Sequence, residues 1–333
     1  MKFGLRYASL GRYSNGPAAV ELAQAAEAAG FDSIWTVEHV VVPHGYQSRY
    51  PYSPSGRMGA GLEDYPIPDP LIWLAYVASA TRTIKLGTAI LILPQRNPVV
   101  TAKEIATLDH LAGGGRVLLG IGVGWLAEEF AALGAPFEDR GPRTDEYVAA
   151  MRALWSQECA SYKGRFVSFD QVFCRPLPPE RRIPIIVGGD TAAAARRAGR
   201  LGDGYFPARP APPELLDEMR RAAEAAGRDP GSIEITVAAP TEAPEIEALA
   251  KRGITRVAVP VWGGIFGVYF RRLVPAIGAV VARDRQAYTY LPASVDRFLT
   301  ARELATAMER AGLRDVRFRT FALGTVALHV GIV

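Results

Sequence analysis

Three stretches of this sequence carry residue types suited to chemistry. His39 and Glu38 are neighbours in WTVEHV, residues 35–40. Imidazole titrates near neutral pH, so a histidine beside a carboxylate suits proton transfer. The plainer alternative is a lone histidine satisfied by local hydrogen bonds. GIGVGW, Gly120–Trp125, lets backbone approach a flat or phosphorylated ligand closely. A dinucleotide or S-adenosylmethionine loop would also need an acid about 20 residues on, at a strand tip. Glu138, Asp139 and Glu146 lie instead in a helical context. VGGDT, Val187–Thr191, joins a strand end to two glycines, Gly188 and Gly189, and a helix N-cap at Thr191. That arrangement presents N–H groups and a positive dipole end to phosphate, or else is simply a tight turn. GGG at 113–115 reads as a helix-terminating turn, and His44 and His110 have no partners at metal-ligand spacing. No metal site is expected.

The elements that must position these residues alternate. Lys2–Ala8 reads as a strand, followed by an Ala-rich amphipathic helix from Pro17 that closes at Gly30. Strand-like runs then begin at Ser33, Lys85, Arg116, Pro184, Gly204, Ser232 and Thr255, which makes eight, seven of them followed by helical periodicity. Continuous apolar strands alternating with helices imply a parallel sheet buried on both faces. Eight such units in about 260 residues predict an α/β fold, a (β/α)8 barrel, with chemistry on the loops at the strands' carboxyl ends. Two segments exceed the repeat. Residues 41–70, rich in Pro, Gly and Tyr, form a long loop after strand two, and residues 160–176 read as a hairpin about Lys163-Gly164.

Composition sets the outer bounds. A chain of 333 residues, 49% hydrophobic and 22% charged, excludes disorder, collagen and coiled coil. Two cysteines are too few for a disulfide framework, and the N-terminus lacks a signal-peptide pattern, so a soluble cytoplasmic enzyme is expected. The net charge of +4 is unevenly placed. Residues 266–333 hold ten arginines and five acids, whereas 1–265 hold 28 bases and 29 acids. Basic residues without interleaved aromatics predict no nucleic-acid partner. The chain after Gly264 predicts an eighth helix weakened by Pro275, a helix capped at Thr300 and ending at Gly312, and two strands about Leu323-Gly324.

Together KFGLRYA, GFDSIWTVEHV, KLGTAILILPQRNPVV, GIGVGW, RTDEYVAAMRALW and PIIVGGDTAAAARRAGRLGDGYFP resemble the luciferase-like monooxygenase superfamily, in its coenzyme F420-dependent branch, over residues 1–262. The resemblance implies a barrel domain over 1–265 that transfers hydride between deazaflavin C5 and a small organic substrate, with FMN as the alternative cofactor. It implies catalytic roles for His39 and Glu38. It implies cofactor contacts at Thr88, Ala89 and Ile90, with a non-prolyl cis peptide at Ala89-Ile90, at Val123 and Gly124, and at Gly188, Gly189, Thr191 and Ala192. Sugar-phosphate dehydrogenases of that family carry glutamate where this chain has Trp125. Trp125 with Tyr46, Tyr50 and Tyr52 implies an apolar or aromatic substrate instead, under a lid made by loop 41–70. Residues 266–333, notably AYTYLPASV, ELATAMERAGL and GTVALH, resemble the C-terminal end of menaquinone and ubiquinone C-methyltransferases without their cofactor loop. Methyl transfer is therefore not expected. A quinone-pathway binding module or an inactive fusion product is the competing reading. A homodimer, with the tail helping to cover the barrel, completes the expectation.

Overall fold

The computed structural model describes residues 1–59, 62–209, 212–239, 243–261, 314–321 and 326–332. Its strands in chain order are β1 (Lys2–Arg6), β2 (Ser33–Thr36), β3 (Lys85–Thr88), β4 (Leu91–Ile92), β5 (Val117–Gly122), β6 (Ala160–Lys163), β7 (Ser168–Val172), β8 (Ile185–Gly188), β9 (Gly204–Phe206), β10 (Glu234–Ala238), β11 (Arg256–Pro260), β12 (Arg314–Phe321) and β13 (Val326–Ile332). Eight of them, β1, β2, β3, β5, β8, β9, β10 and β11, pair in parallel and in that order, and β11 returns to β1 from Lys2↔Arg256 to Arg6↔Pro260. This is the expected closed (β/α)8 barrel. Its helices are α1 (Gly16–Ala28), α2 (Pro70–Ala78), α3 (Pro98–Leu111), α4 (Ala127–Ala132), α5 (Arg140–Ser156), α6 (Ala192–Leu201), α7 (Pro213–Ala225) and α8 (Ala243–Lys251).

The barrel's two faces have different tasks. Outward residues such as Leu5, Ile34, Leu86, Leu119, Ile185 and Val257 are buried with the apolar sides of the helices in the main core. Inward, Trp35, Leu118, Ile186, Phe206 and Ala258 make a second, smaller core that plugs the barrel. Trp35 is its centre, fully buried and edge-on to Phe206 at 5.3 Å. Its indole fits because β1 and β3 offer glycines: a Cβ on Gly87 would lie 2.3 Å from the indole and one on Gly4 2.8 Å from its nitrogen. Arg256 closes the amino end beneath the plug, 5.6 Å from the Trp35 ring and paired with Asp32 at 2.8 Å and Glu234 at 3.1 Å.

The expected hairpin is β6 and β7, antiparallel, with Tyr162 opposite Phe169. Glu146 on α5 pins its turn by accepting the N–H groups of Arg165, Phe166 and Val167 at 3.0, 2.7 and 2.9 Å. The three glycines after α3 have φ of 95°, 87° and 68°, which makes them the helix-ending turn expected of them. In the tail, β12 and β13 pair antiparallel with Phe318 opposite His329, and the predicted Leu323-Gly324 turn lies outside the described residues. The two predicted tail helices lie outside the described residues. No helix among the described residues is long and apolar enough to cross a membrane.

Candidate active site

His39, Ala89-Ile90, Val123-Gly124 and the turn at 189–192 follow β2, β3, β5 and β8 at the carboxyl end of the barrel. Strand three does not run straight through KLGTAILIL. β3 ends at Thr88, the Ala89-Ile90 peptide is cis, as expected, and β4 resumes at Leu91. The neighbouring strands are cut to receive this bulge. A Cβ on Gly120 would lie 1.7 Å from the Thr88 carbonyl, and Cβ atoms on Gly122 and Gly188 would each lie 2.4 Å from Ile90. Gly122 and Gly188, on two strands, thus let Ile90 lie over the barrel and Gly120 admits the Thr88 carbonyl, while Ala89 packs on the plug. Thr88, expected at the cofactor, is instead buried beneath this floor, where its hydroxyl donates to the Gly120 carbonyl at 2.6 Å.

His39 stands beside the floor. Its Nδ1 lies 2.8 Å from a carboxylate oxygen of Glu129, which has no solvent exposure at all. The other Glu129 oxygen accepts the Val40 and Val41 N–H groups at 2.7 and 3.4 Å. An acceptor at Nδ1 places the proton there and leaves Nε2 as the unprotonated nitrogen of the neutral ring. Trp125 meets the His39 ring edge-on at 5.7 Å.

Glu38 is placed differently from expectation. Consecutive residues of extended chain face opposite sides, and its carboxylate turns away from His39 to accept from the Ile92 N–H and pair with Arg96. Burial pushes this carboxyl up, while the Arg96 guanidinium and the Ile92 N–H pull it back. Arg96 also reaches Asp69 at 2.8 Å, and Asp69 caps α2 by accepting the Leu71 and Ile72 N–H groups. The group beside Glu38 therefore ties the end of the bulge to the end of the long loop.

That loop brings the aromatics together as expected. Tyr46 and Tyr50 lie edge-on to Trp125 at 5.4 and 5.1 Å, and Tyr52 to Tyr50 at 5.3 Å. Burial pushes the Tyr50 and Tyr52 hydroxyls up, Tyr52 to about 12, so both stay protonated across the physiological range. Glu128 accepts the Gln47 and Ser48 N–H groups at 2.7 and 3.0 Å, and with the Ser48 hydroxyl these donors hold its carboxyl down at about 2. A cleft of about 300 Å³ lies between His39 and the loop, bordered by Val41, Glu63, Tyr65 and Ile67.

On the opposite side of the mouth, Gly189 takes φ +121° and Thr191 caps α6 by accepting the Ala194 N–H at 3.2 Å. Asp190 is balanced by the Ala208 N–H at 2.6 Å and Arg209 at 2.9 Å. Thr191 and Ala192 are exposed at the first turn, where unpaired N–H groups favour an anion. Val123 and Gly124, the latter at φ +79°, sit between the floor and Trp125 in sequence.

A family model described as luciferase-like monooxygenase matches residues 6–300. The chain belongs to the luciferase-like monooxygenase family. Its match continues past residue 265, the end of the expected barrel domain, to residue 300. Among relatives, an uncharacterised protein of Mycobacterium tuberculosis is 36% identical over 190 residues, 55% of this chain and 65% of that one, so the match spans less than two thirds of that relative. An F420-dependent glucose-6-phosphate dehydrogenase of Kineococcus radiotolerans is 33% identical over 248 residues, 71% of this chain and 66% of its own. An FMNH2-dependent dimethylsulfone monooxygenase of Pseudomonas putida is 36% identical over 132 residues, 38% of this chain and 36% of its own. The relatives of this luciferase-like protein thus include both F420- and FMN-dependent enzymes. An F420-dependent secondary alcohol dehydrogenase, solved with an F420-acetone adduct, shares the fold at TM-score 0.57 and 21% identity, over 93% of this chain and 89% of that one.

Sequence reasoning missed two residues. Glu129 was hidden in WLAEEF, which reads only as an amphipathic helix, although an acid opening the helix after strand four was a usable signal. Arg96 lies in PQRNP, within a quoted motif but assigned no role.

Proposed function

We propose that the protein is an F420-dependent oxidoreductase acting on an apolar or aromatic organic substrate. One observation carries this reading: a floor of Ala89 and Ile90 over Gly122 and Gly188, bare of larger side chains, beside a histidine held by a fully buried carboxylate. A planar ring system fits such a floor, and the exposed first turn of α6 with Gly188, Gly189, Thr191 and Ala192 fits the phosphate of the same cofactor. When bound, the deazaflavin supplies two-electron hydride chemistry at C5.

The chain's own residues do the rest. His39 gives or takes the proton that accompanies hydride transfer, at Nε2, while Glu129 fixes the ring and the Nδ1 proton. Trp125, Tyr50 and Tyr52 offer an apolar wall on which an aromatic or alkyl group packs. The loop held by Glu128 and Glu129 covers the site and limits water. Glu38 supports the floor through Ile92 and Arg96, in place of the proton-transfer role expected of it. Trp125 stands where sugar-phosphate dehydrogenases carry a glutamate, which supports a less polar substrate.

Titrating the purified protein with F420 and with FMN, each followed by fluorescence, tests the reading. Micromolar binding of F420 with weaker FMN binding is expected. Binding of FMN alone, with oxygen consumed when it is supplied reduced, would replace the proposal with a monooxygenase. Binding of neither would sink it.

A further inference from the structure

We propose that Arg6, at the carboxyl end of β1, is an anion-recognition residue that selects substrates bearing a carboxylate beside their apolar part. This rests on the barrel's being the substrate site, as above. In β1, Gly4 faces inward against Trp35, and side chains alternate along a strand, so Arg6 two residues on also faces the interior, one layer above the plug. The same alternation from Ala258 makes Arg256 inward, one layer below. The two inward arginines are treated differently. Arg256 at the amino end is paired with two carboxylates, Asp32 and Glu234. Arg6 at the functional end has no ion pair among the described residues, and its Nε is buried without a hydrogen-bond partner.

Its guanidinium is nevertheless fixed. It lies 4.8 Å from the Tyr7 ring, and one Nη donates to the carbonyl of Ala208 at 3.3 Å. Ala208 follows β9, and β11 and β10 stand between β9 and β1 in the barrel order. The side chain therefore reaches over the barrel mouth, on the wall opposite the bulge. The carboxylate that could neutralise it from that side, Asp190, is committed to the Ala208 N–H and to Arg209. Arg6 as a whole is half-buried, but leaving its buried Nε–H with an unmade hydrogen bond is costly unless something completes it. A planar fork of N–H donors matches a carboxylate in two-point contact. Tyr50, which interacts electrostatically with Arg6, and Tyr52 edge-on to it at 5.3 Å supply apolar surface for what the carboxylate is attached to.

A phosphate or carboxylate of the cofactor would have the same chemistry, so both sources are tested. Benzoate is the substrate-side probe and benzyl alcohol its neutral control, each measured by calorimetry with and without F420 on wild type, Arg6→Gln and Arg6→Lys. Thermal melting checks that the variants are folded. The expected result is benzoate binding weakened at least tenfold in Arg6→Gln and partly kept in Arg6→Lys, with benzyl alcohol and F420 affinities changed less than threefold. A tenfold loss of F420 affinity in Arg6→Gln with benzoate unaffected would give Arg6 to the cofactor and overturn the proposal. So would benzoate binding equal in all three proteins or undetectable in wild type. If F420 never binds but benzoate still depends on Arg6, the cofactor reading fails and the anion site stands.

Discussion

The pair formed by His39 and Glu129 makes the sharpest residue-scale predictions. Glu129 satisfies an imidazole and two backbone N–H groups with one buried carboxylate. Replacing it by Gln keeps the shape but offers one acceptor oxygen where two were used. We expect Glu129→Gln to lower kcat by roughly 10 to 100-fold, with F420 affinity changed far less, as read by steady-state kinetics beside a fluorescence titration. His39→Asn should cost about 10² to 10⁴-fold in turnover. Equal turnover in wild type and His39→Asn would remove proton transfer from this residue. His39 was legible because a histidine at a strand end of a barrel stands where chemistry occurs. Its partner was not, because the pair is 90 positions apart and only the fold brings α4 under the start of the loop.

At the scale of elements, strand three is shaped by what its neighbours lack. Gly122→Val would drive a branched side chain into Ile90, already 2.4 Å from where a Cβ would stand. Overpacking of this kind costs about 1–3 kcal/mol; a lower Tm and at least a tenfold loss of F420 binding should follow, measured by melting and titration. The stitch between α1 and the start of β3 predicts a pH effect. Burial pushes the Glu27 carboxyl up, but the N–H groups of Thr83, Ile84 and Arg82, with the Thr83 hydroxyl, draw it down to about 2. A carboxyl lowered in the folded state contributes stability that is present above its ordinary value, near 4.5, and is lost as pH falls from there towards about 2. Acid unfolding of Glu27→Gln should therefore be flatter than that of wild type over this interval, as followed by circular dichroism. The alternation of strands and helices was readable because parallel strands buried on both faces are continuous apolar runs. The break at Ala89-Ile90 was readable only through family likeness, since nothing in the periodicity of KLGTAILIL interrupts it.

For the molecule as a whole, the barrel closes through β1 and β11 before the tail begins. We propose that residues 266–333 supply the helical cover a last strand requires, and that the excess of arginine there belongs to that cover. Expressing residues 1–265 alone should give a protein with a lower Tm, or an insoluble one; an unchanged Tm would dismiss this role. The Trp35 plug can be checked in the full chain. Trp35→Ala should cost about 3–5 kcal/mol, visible as a shift in the denaturant midpoint. The architecture was legible from strand count and spacing. How Gly4, Gly87 and Trp35 share one layer was not, because the three belong to different strands, and their meeting depends on barrel register.

The long loop is held by charges at its two ends: Glu128 and Glu129 fasten its start near residues 40–48, and Arg96 fastens its finish at Asp69. None of these anchors uses a side chain between Arg49 and Ile67. For divergence, this separates what holds the candidate site together from what borders its mouth. Among the described residues of the intervening stretch, only the side chains of Arg57, on the Tyr46 carbonyl at 2.6 Å, and Glu63, on the Gly45 N–H at 2.7 Å, reach back to the loop's start. We infer that rewriting the residues around them in descendants leaves His39 and the bulge in place, which would make the stretch a cassette for exchanging one substrate for another.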